Sequence, residues 1–204
     1  MEKVVITIGR QLGSRGREIG RKLADKLGIG YYDKELIVEA AKESGLPEKF
    51  FENTDEKPTS SFLYSLVMSI QPGTGLYNHY NDFLNNDNIF RIQADIIHKI
   101  AERESCVIVG RCADYILKKR EDLIKIFVHA SKEVRRDRIM LRDKVSDKEA
   151  MNIVTKADKR RGNYYNFYTN KIWGDVNNYD LSIDSGKMDI DQCVDLLADY
   201  VNMR

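Results

Sequence analysis

The chain has 204 residues, enough for one α/β domain with a full core and short for two. Charged side chains make up 32% of it, yet 33 basic and 32 acidic residues leave a formal charge of +1. That balance excludes a general electrostatic pull toward nucleic acid or membrane, so any basic site must be local.

Cys106, Cys112 and Cys193 are odd in number and show no C-x-x-C spacing. They read as reduced thiols, not as a disulfide frame or a zinc site. No basic region followed by an apolar stretch opens the chain, and no run approaches the roughly 18 apolar residues of a membrane span. The expectation is a cytoplasmic protein without a membrane partner.

Taken in order, Val4 to Ile8 is an apolar run that reads as a buried strand. Gly9-Arg10-Gln11-Leu12-Gly13-Ser14-Arg15-Gly16-Arg17-Glu18 follows. A helix is predicted over 17–28, with Ile19, Leu23 and Leu27 on one stripe and Gly28 as its stop. Strand, glycine-rich turn and helix are the order of a phosphate-binding loop. Glycines let consecutive N–H groups face inward, the helix start adds partial positive charge, and the arginines add fixed charge. The loop departs from G-x-x-x-x-G-K-[ST], because Gly16-Arg17-Glu18 stands where Gly-Lys-Ser/Thr is expected and the spacing from Gly9 is longer. Arg17 can replace the lysine with a bidentate phosphate contact, and Ser14 is the nearest hydroxyl for a metal. The other reading is a tight turn whose arginines are solvated.

A short strand over 29–32 ends at Asp33, and a helix is predicted over 34–44. Residues 50–88 mix Phe and Tyr with Pro, Gly, Ser and Asn. Either those aromatics pack on the core, or they form a substrate-covering arm and homodimer contact. Helix then resumes over 88–103, before a buried strand from Cys106 to Val109 that ends at Gly110-Arg111. A helix to about Lys118, a strand from Ile124 to Val128 and a basic helix over 131–143 come next. The basic helix carries Arg135, Arg136, Arg138 and Arg142. A helix over 146–169, a last strand from Tyr179 to Ile183 and a final helix opened by an Asp189/Gln192 capping box complete the chain.

Short apolar strands alternating with helices argue for a three-layer αβα domain with a central parallel sheet of about five strands. Ligands of such sheets gather beyond the carboxyl ends of the strands. Gly9, Asp33, Gly110-Arg111 and the segment after Val128 fall there together. His79, His98 and His129 have no metal-ligand spacing, so the metal ligands stay unknown.

Three stretches carry a resemblance: Val5-Ile-Thr-Ile-Gly-Arg-Gln-x-Gly-Ser-x-Gly-Arg-Glu-Ile-Gly20, Tyr31-Tyr-Asp-Lys-Glu-Leu-Ile37, and Val107-Ile-Val-Gly-Arg-Cys-Ala-Asp-Tyr-Ile-Leu117. With Asp158-Lys159-x-Arg161, Tyr164-Tyr165 and Trp173-Gly174, the chain resembles the cytidylate kinase-like family nearly end to end, most weakly over 50–88. The resemblance implies a P-loop nucleoside monophosphate kinase fold over 1–204, with an acceptor-binding aromatic insert over about 46–88 and an arginine-bearing lid over about 131–172. It implies ATP and Mg2+ as cofactors and CMP, dCMP or a similar nucleoside monophosphate as acceptor. Gly9, Arg10, Gln11, Gly13, Ser14, Arg15, Gly16, Arg17 and Glu18 would hold the donor. Asp33, Arg91, Arg111, Asp158 and Arg161 would hold the acceptor, with Arg91 one residue off the family's position. Arg17, Arg138 and Arg142 would steady the transferred charge.

Three departures matter. Cys112 follows Gly-Arg where aspartate is expected, Val109 precedes it where related kinases often carry an acid, and Lys34-Glu35 replaces Thr-Gly after Asp33. A nucleotide-binding regulatory domain with weak or no turnover is therefore the alternative, and a kinase of a non-nucleotide metabolite is a third reading. Plainer roles also stand: a solvated face for Arg135 to Arg142, a helix surface pair for Asp158 and Arg161, an N-cap for Asp33, and packing for the tyrosines. Nucleic-acid binding is not expected.

Overall fold

The computed structural model describes residues 3–33 and 86–204. The helix predicted over 34–44 and most of the aromatic segment lie outside the described residues. Within them, five strands form one parallel sheet in the order β2-β3-β1-β4-β5. The strands are β1 (Val5–Arg10), β2 (Gly30–Tyr32), β3 (Cys106–Val109), β4 (Leu123–His129) and β5 (Leu181–Asp184). Six α-helices are described: α1 (Gly16–Leu27), α2 (Asn86–Arg103), α3 (Ala113–Ile116), α4 (Lys132–Asp143), α5 (Asp147–Thr169) and α6 (Ile190–Asn202).

The central strands are buried on both faces, and their period of two divides the core. In β3, Cys106 and Ile108 face the cluster holding Ile96, Ile97 and Ile100 of α2 and Leu117. Val107 and Val109 face the cluster holding Ile19 and Leu23 of α1 and Val194 and Leu197 of α6. These are the three layers expected, and the sheet register runs from Val5 opposite both Cys106 and Leu123. The three cysteines are buried and form no disulfide among the described residues, and burial pushes the Cys106 thiol up to about 12.

Helix ends follow local chemistry. Gly28, at φ 65°, closes α1. Ser131 and Ser146 cap α4 and α5 through side-chain oxygens, and Asp189 with Gln192 forms the capping box of α6. Several boundaries differ by a residue or two from the expected ones, and two of the differences have a local cause. The last strand begins at Leu181, because the Tyr179 N–H instead bonds to Val176 O and closes a 3-10 turn over Val176–Asn178. Helix α3 stops at Ile116, where Lys118 and Arg120 turn back three residues to Tyr115 O and Leu117 O. No helix among the described residues is long and apolar enough to cross a membrane.

Candidate active site

Strand β1 carries its ladder through Arg10, so the loop proper is Gln11 to Arg15. Its shape is fixed from outside, carbonyl by carbonyl. Arg161 Nη1 donates to Arg10 O at 3.2 Å, and Arg135 Nη1 donates to Leu12 O at 3.2 Å. Arg138 Nη1 donates to Gly13 O at 3.1 Å, and the Ser185 hydroxyl donates to Ser14 O at 2.6 Å. The Ser14 hydroxyl closes the set by donating to Gln11 O at 2.9 Å. The Gln11, Leu12 and Ser14 N–H groups are likewise bonded inside the protein, to Val128 O, Asp158 Oδ1 and Gln11 O, so an anion is left to the loop's end at Arg15 and the start of α1. Arg15 sits in the left-handed region at φ 59° before a right-handed helical start, the geometry of an anion-binding nest. Its side chain gives α1 no cap hydrogen bond, so the first-turn N–H groups stay available to an anion.

The buried post behind the loop is Arg135, only 2% exposed. Its Nε donates to Ala130 O at 2.9 Å, and its Nη1 reaches Asp158 Oδ2 at 2.5 Å. Asp158 Oδ1 accepts the Leu12 N–H at 3.0 Å. Asp158 and Arg135 thus tie α4 and α5 to the loop. The sequence pointed to Asp158 as an acceptor ligand and to the arginines of α4 as a lid. In the structure these groups also hold the loop. Arg138 further donates to Ser185 O at 2.6 Å, and burial with the nearby Arg15 charge lowers it from the usual arginine range. Arg142 stands more exposed and pairs with Asp143.

Two cavities flank the loop. The first, about 530 Å³, is lined by Gly13, Arg15, Gly16, Arg17, Glu18, Arg138, Leu141 and Arg142 among others. The second lies beyond the ends of β1 and β3, between Gly110, Arg111, Cys112, Asp114 and the Tyr164, Tyr165, Trp173 and Tyr179 rings. Arg10, at the end of β1, and Arg161, on α5, line both. The second cavity leaves about 30 Å³ in this conformation, space on the scale of one water, so a larger ligand enters only as lining side chains move.

Backbone strain concentrates at that second cavity. Gly110, Arg111 and Cys112 are consecutive residues at φ 82°, 59° and 56°. For the two non-glycine residues this conformation costs about 1–2 kcal/mol each. At Gly110 the positive φ favours glycine, and a Cβ there would also displace the Arg10 guanidinium. Arg111, 3% exposed, is the buried cation that this turn delivers.

Asp33, at the end of β2, is 4% exposed and pairs with Arg17 and, at 3.9 Å, with Arg10. Arg17 therefore rests on a carboxylate beside the loop. Arg91 is exposed on α2 and lines neither cavity. Sequence reasoning passed over Asp114, Ser185 and the joint position of Arg10 and Arg161. Asp114 stands within the Val107–Leu117 motif, three residues past Arg111, and nothing local marks Ser185.

Among the described residues Glu18 is the carboxylate lining the larger cavity; Asp33 beside the loop is paired with arginine, and Ser14, whose hydroxyl donates to Gln11 O, is fully buried. Among the described residues no cluster of three His, Cys, Asp or Glu side chains could hold a metal. That donor set fits magnesium carried by nucleotide phosphates and water, with Glu18 the available carboxylate, rather than a protein cage.

Residues 5–187 match the cytidylate kinase-like family. The cytidylate kinase of Methanosarcina barkeri is 29% identical over 194 residues, covering 94% of this chain and 93% of that protein. The cytidylate kinase of Pyrobaculum islandicum is 27% identical over 117 residues, which are 57% of this chain and 62% of that protein. A solved structure from Eubacterium ventriosum, described as an uncharacterized protein, is 32% identical, covers 99% of this chain and 100% of its own, and superposes with a TM-score of 0.73. Shikimate kinase from Bacteroides thetaiotaomicron, at 13% identity, TM-score 0.55 and 98% coverage of each chain, shares the fold.

Proposed function

The chain belongs to the cytidylate kinase-like family, and from that premise we propose that it moves the γ-phosphoryl of ATP to CMP, dCMP or a similar nucleoside monophosphate. The observation that carries this reading is the pair of arginine-bearing cavities that meet at Arg10 and Arg161. Phosphoryl transfer asks little covalent chemistry of a protein. It needs two anions held in line and charge stabilised at the junction.

In this reading the nest at Arg15 and Gly16, with Arg15, Arg17 and Arg142, grips the donor phosphates. The first-turn N–H groups of α1 share that task. Arg111 holds the acceptor phosphate. Arg10 and Arg161 face both substrates and take over part of the charge-steadying role first given to Arg138. Magnesium, carried on the ATP phosphates, would neutralise charge between donor and acceptor. Arg17 exchanges Asp33 for phosphate when the donor arrives. The lid role narrows to the outer turn of α4 around Leu141 and Arg142, since its inner half is fastened to the loop through Arg135 and Arg138.

A second reading, nucleotide binding with little turnover, is favoured by the Arg17–Asp33 pair, which leaves a cation of the loop occupied. Turnover measurements separate the two.

Acceptor binding has a built-in reporter. Trp173 is the single tryptophan, it lines the smaller cavity, and its ring packs edge-on against Phe127 at 5.5 Å. Since that cavity must widen to admit a nucleotide, titration with CMP or dCMP is expected to give a saturable change in tryptophan emission. Emission indifferent to every nucleoside monophosphate at about millimolar concentration, the upper end of usual substrate affinities, contradicts the acceptor assignment.

A further inference from the structure

The smaller cavity holds a carboxylate in addition to its cations. Asp114 lies in the first turn of α3, two residues past Cys112, and lines the cavity beside Tyr165 and Tyr179. The Tyr165 hydroxyl donates to Asp114 Oδ2 at 2.7 Å, which joins α3 to α5 across the cavity wall. Tyr165 is itself 5% exposed. Burial, and after it the Asp114 charge, raises both the Tyr165 and Tyr179 hydroxyls, so both remain protonated donors at neutral pH. Burial also raises the Asp114 carboxyl, against the pull of the Tyr165 hydrogen bond, the Asp114 and Tyr115 N–H groups and Lys171. Desolvating a carboxylate is costly unless its oxygens are hydrogen-bonded. Asp114 holds Tyr165 and also lines the cavity wall, where its carboxyl can meet a ligand.

The cavity therefore presents two chemistries. Arg10, Arg111 and Arg161 suit a phosphate. Asp114 already accepts from the Tyr165 hydroxyl and from the Asp114 and Tyr115 N–H groups, so its carboxyl oxygens face the cavity as acceptors and suit a hydrogen-bond donor. A ring amino group facing it completes a hydrogen bond, whereas a ring carbonyl there sets acceptor against acceptor and leaves both desolvated. Sites built this way discriminate strongly, because the wrong ligand strands buried polar groups.

Resting on the acceptor-site reading above, we propose that Asp114 is a specificity-determining residue, selecting an acceptor that presents an amino group, an aminopyrimidine monophosphate, over one that presents a carbonyl. The carboxylate supplies the selection that the position of Cys112, immediately after Gly-Arg, does not.

The test compares CMP with UMP as acceptors for the full chain and for Asp114→Asn. Asparagine keeps the shape and an acceptor for Tyr165 but adds an N–H2 donor that can meet a carbonyl. The wild type is expected to prefer CMP in kcat/KM, and Asp114→Asn to cut the CMP-to-UMP ratio at least tenfold. ATP KM should stay within twofold, and Tm should hold or rise as a buried carboxylate is removed. An unchanged ratio in an active variant overturns the assignment and leaves the kinase reading standing. A wild type that transfers to no nucleoside monophosphate overturns both together. Should Asp114→Asn fold poorly, wild-type titrations of Trp173 emission decide instead. UMP bound as tightly as CMP overturns the proposal, and CMP bound at least tenfold tighter supports it.

Discussion

Gly13→Ala is expected to abolish measurable ATP binding and phosphoryl transfer and to lower Tm by roughly 10 °C. Two independent costs add. Gly13 sits at φ 78°, where an alanine costs about 1–2 kcal/mol. The new Cβ would also lie 2.9 Å from Arg135 O and 3.0 Å from Arg135 Cβ. The helix cannot easily retreat, because Arg135 is held by Ala130, Leu12 and Asp158 at once. Overpacking of this kind costs about 1–3 kcal/mol, and the relief available is to push the loop out of its nest. Thermal melts and ATP titration calorimetry check both parts. A variant that melts within about 2 °C of wild type and binds ATP normally contradicts the account of the loop.

The second large effect belongs to Arg135→Ala, expected to cost about 3–5 kcal/mol in urea denaturation. The guanidinium is 2% exposed, and its loss strands Asp158 and the carbonyls of Leu12 and Ala130 inside the protein. Removing one member of a buried pair leaves the other charge uncompensated, which is far more costly than removing both. Arg135→Met with Asp158→Leu should therefore recover part of the stability. It should not recover ATP affinity, because the Leu12 N–H and Leu12 O lose their fastenings together. A cost below about 1 kcal/mol for Arg135→Ala, the value of an exposed ion pair, would mean that the arginine is solvated after all.

Strand and helix order was legible because β3 is apolar at every position and α1 and α6 keep helical spacing. The capping box at Asp189 was legible because it is written in four consecutive residues. The anion loop was legible for the same local reason. What the side chains of α4 do was not. Arg135 and Arg138 share one basic helix with Arg142, yet the first two turn inward to loop carbonyls while Arg142 stays outside on Asp143. No residue pattern separates them, because the difference lies in which face meets Leu12 and Gly13, more than 120 residues earlier in the chain. The pairing of Asp33 with Arg17 and the placement of Ser185 against Ser14 depend on contacts of the same nonlocal kind. Asp114 stands in the motif two residues past Cys112, but its place in the cavity wall depends on how α3 meets Tyr165, which the local pattern does not encode.

Direct observation of transfer is the decisive measurement. ³¹P NMR of ATP, Mg2+ and CMP with the purified chain resolves donor consumption from acceptor product in one spectrum. The account predicts ADP and CDP appearing in equal amounts, with the rate falling about 100-fold or more for Arg17→Ala while the protein stays folded. ATP that persists, or that yields only ADP and inorganic phosphate while CMP remains unchanged, contradicts it.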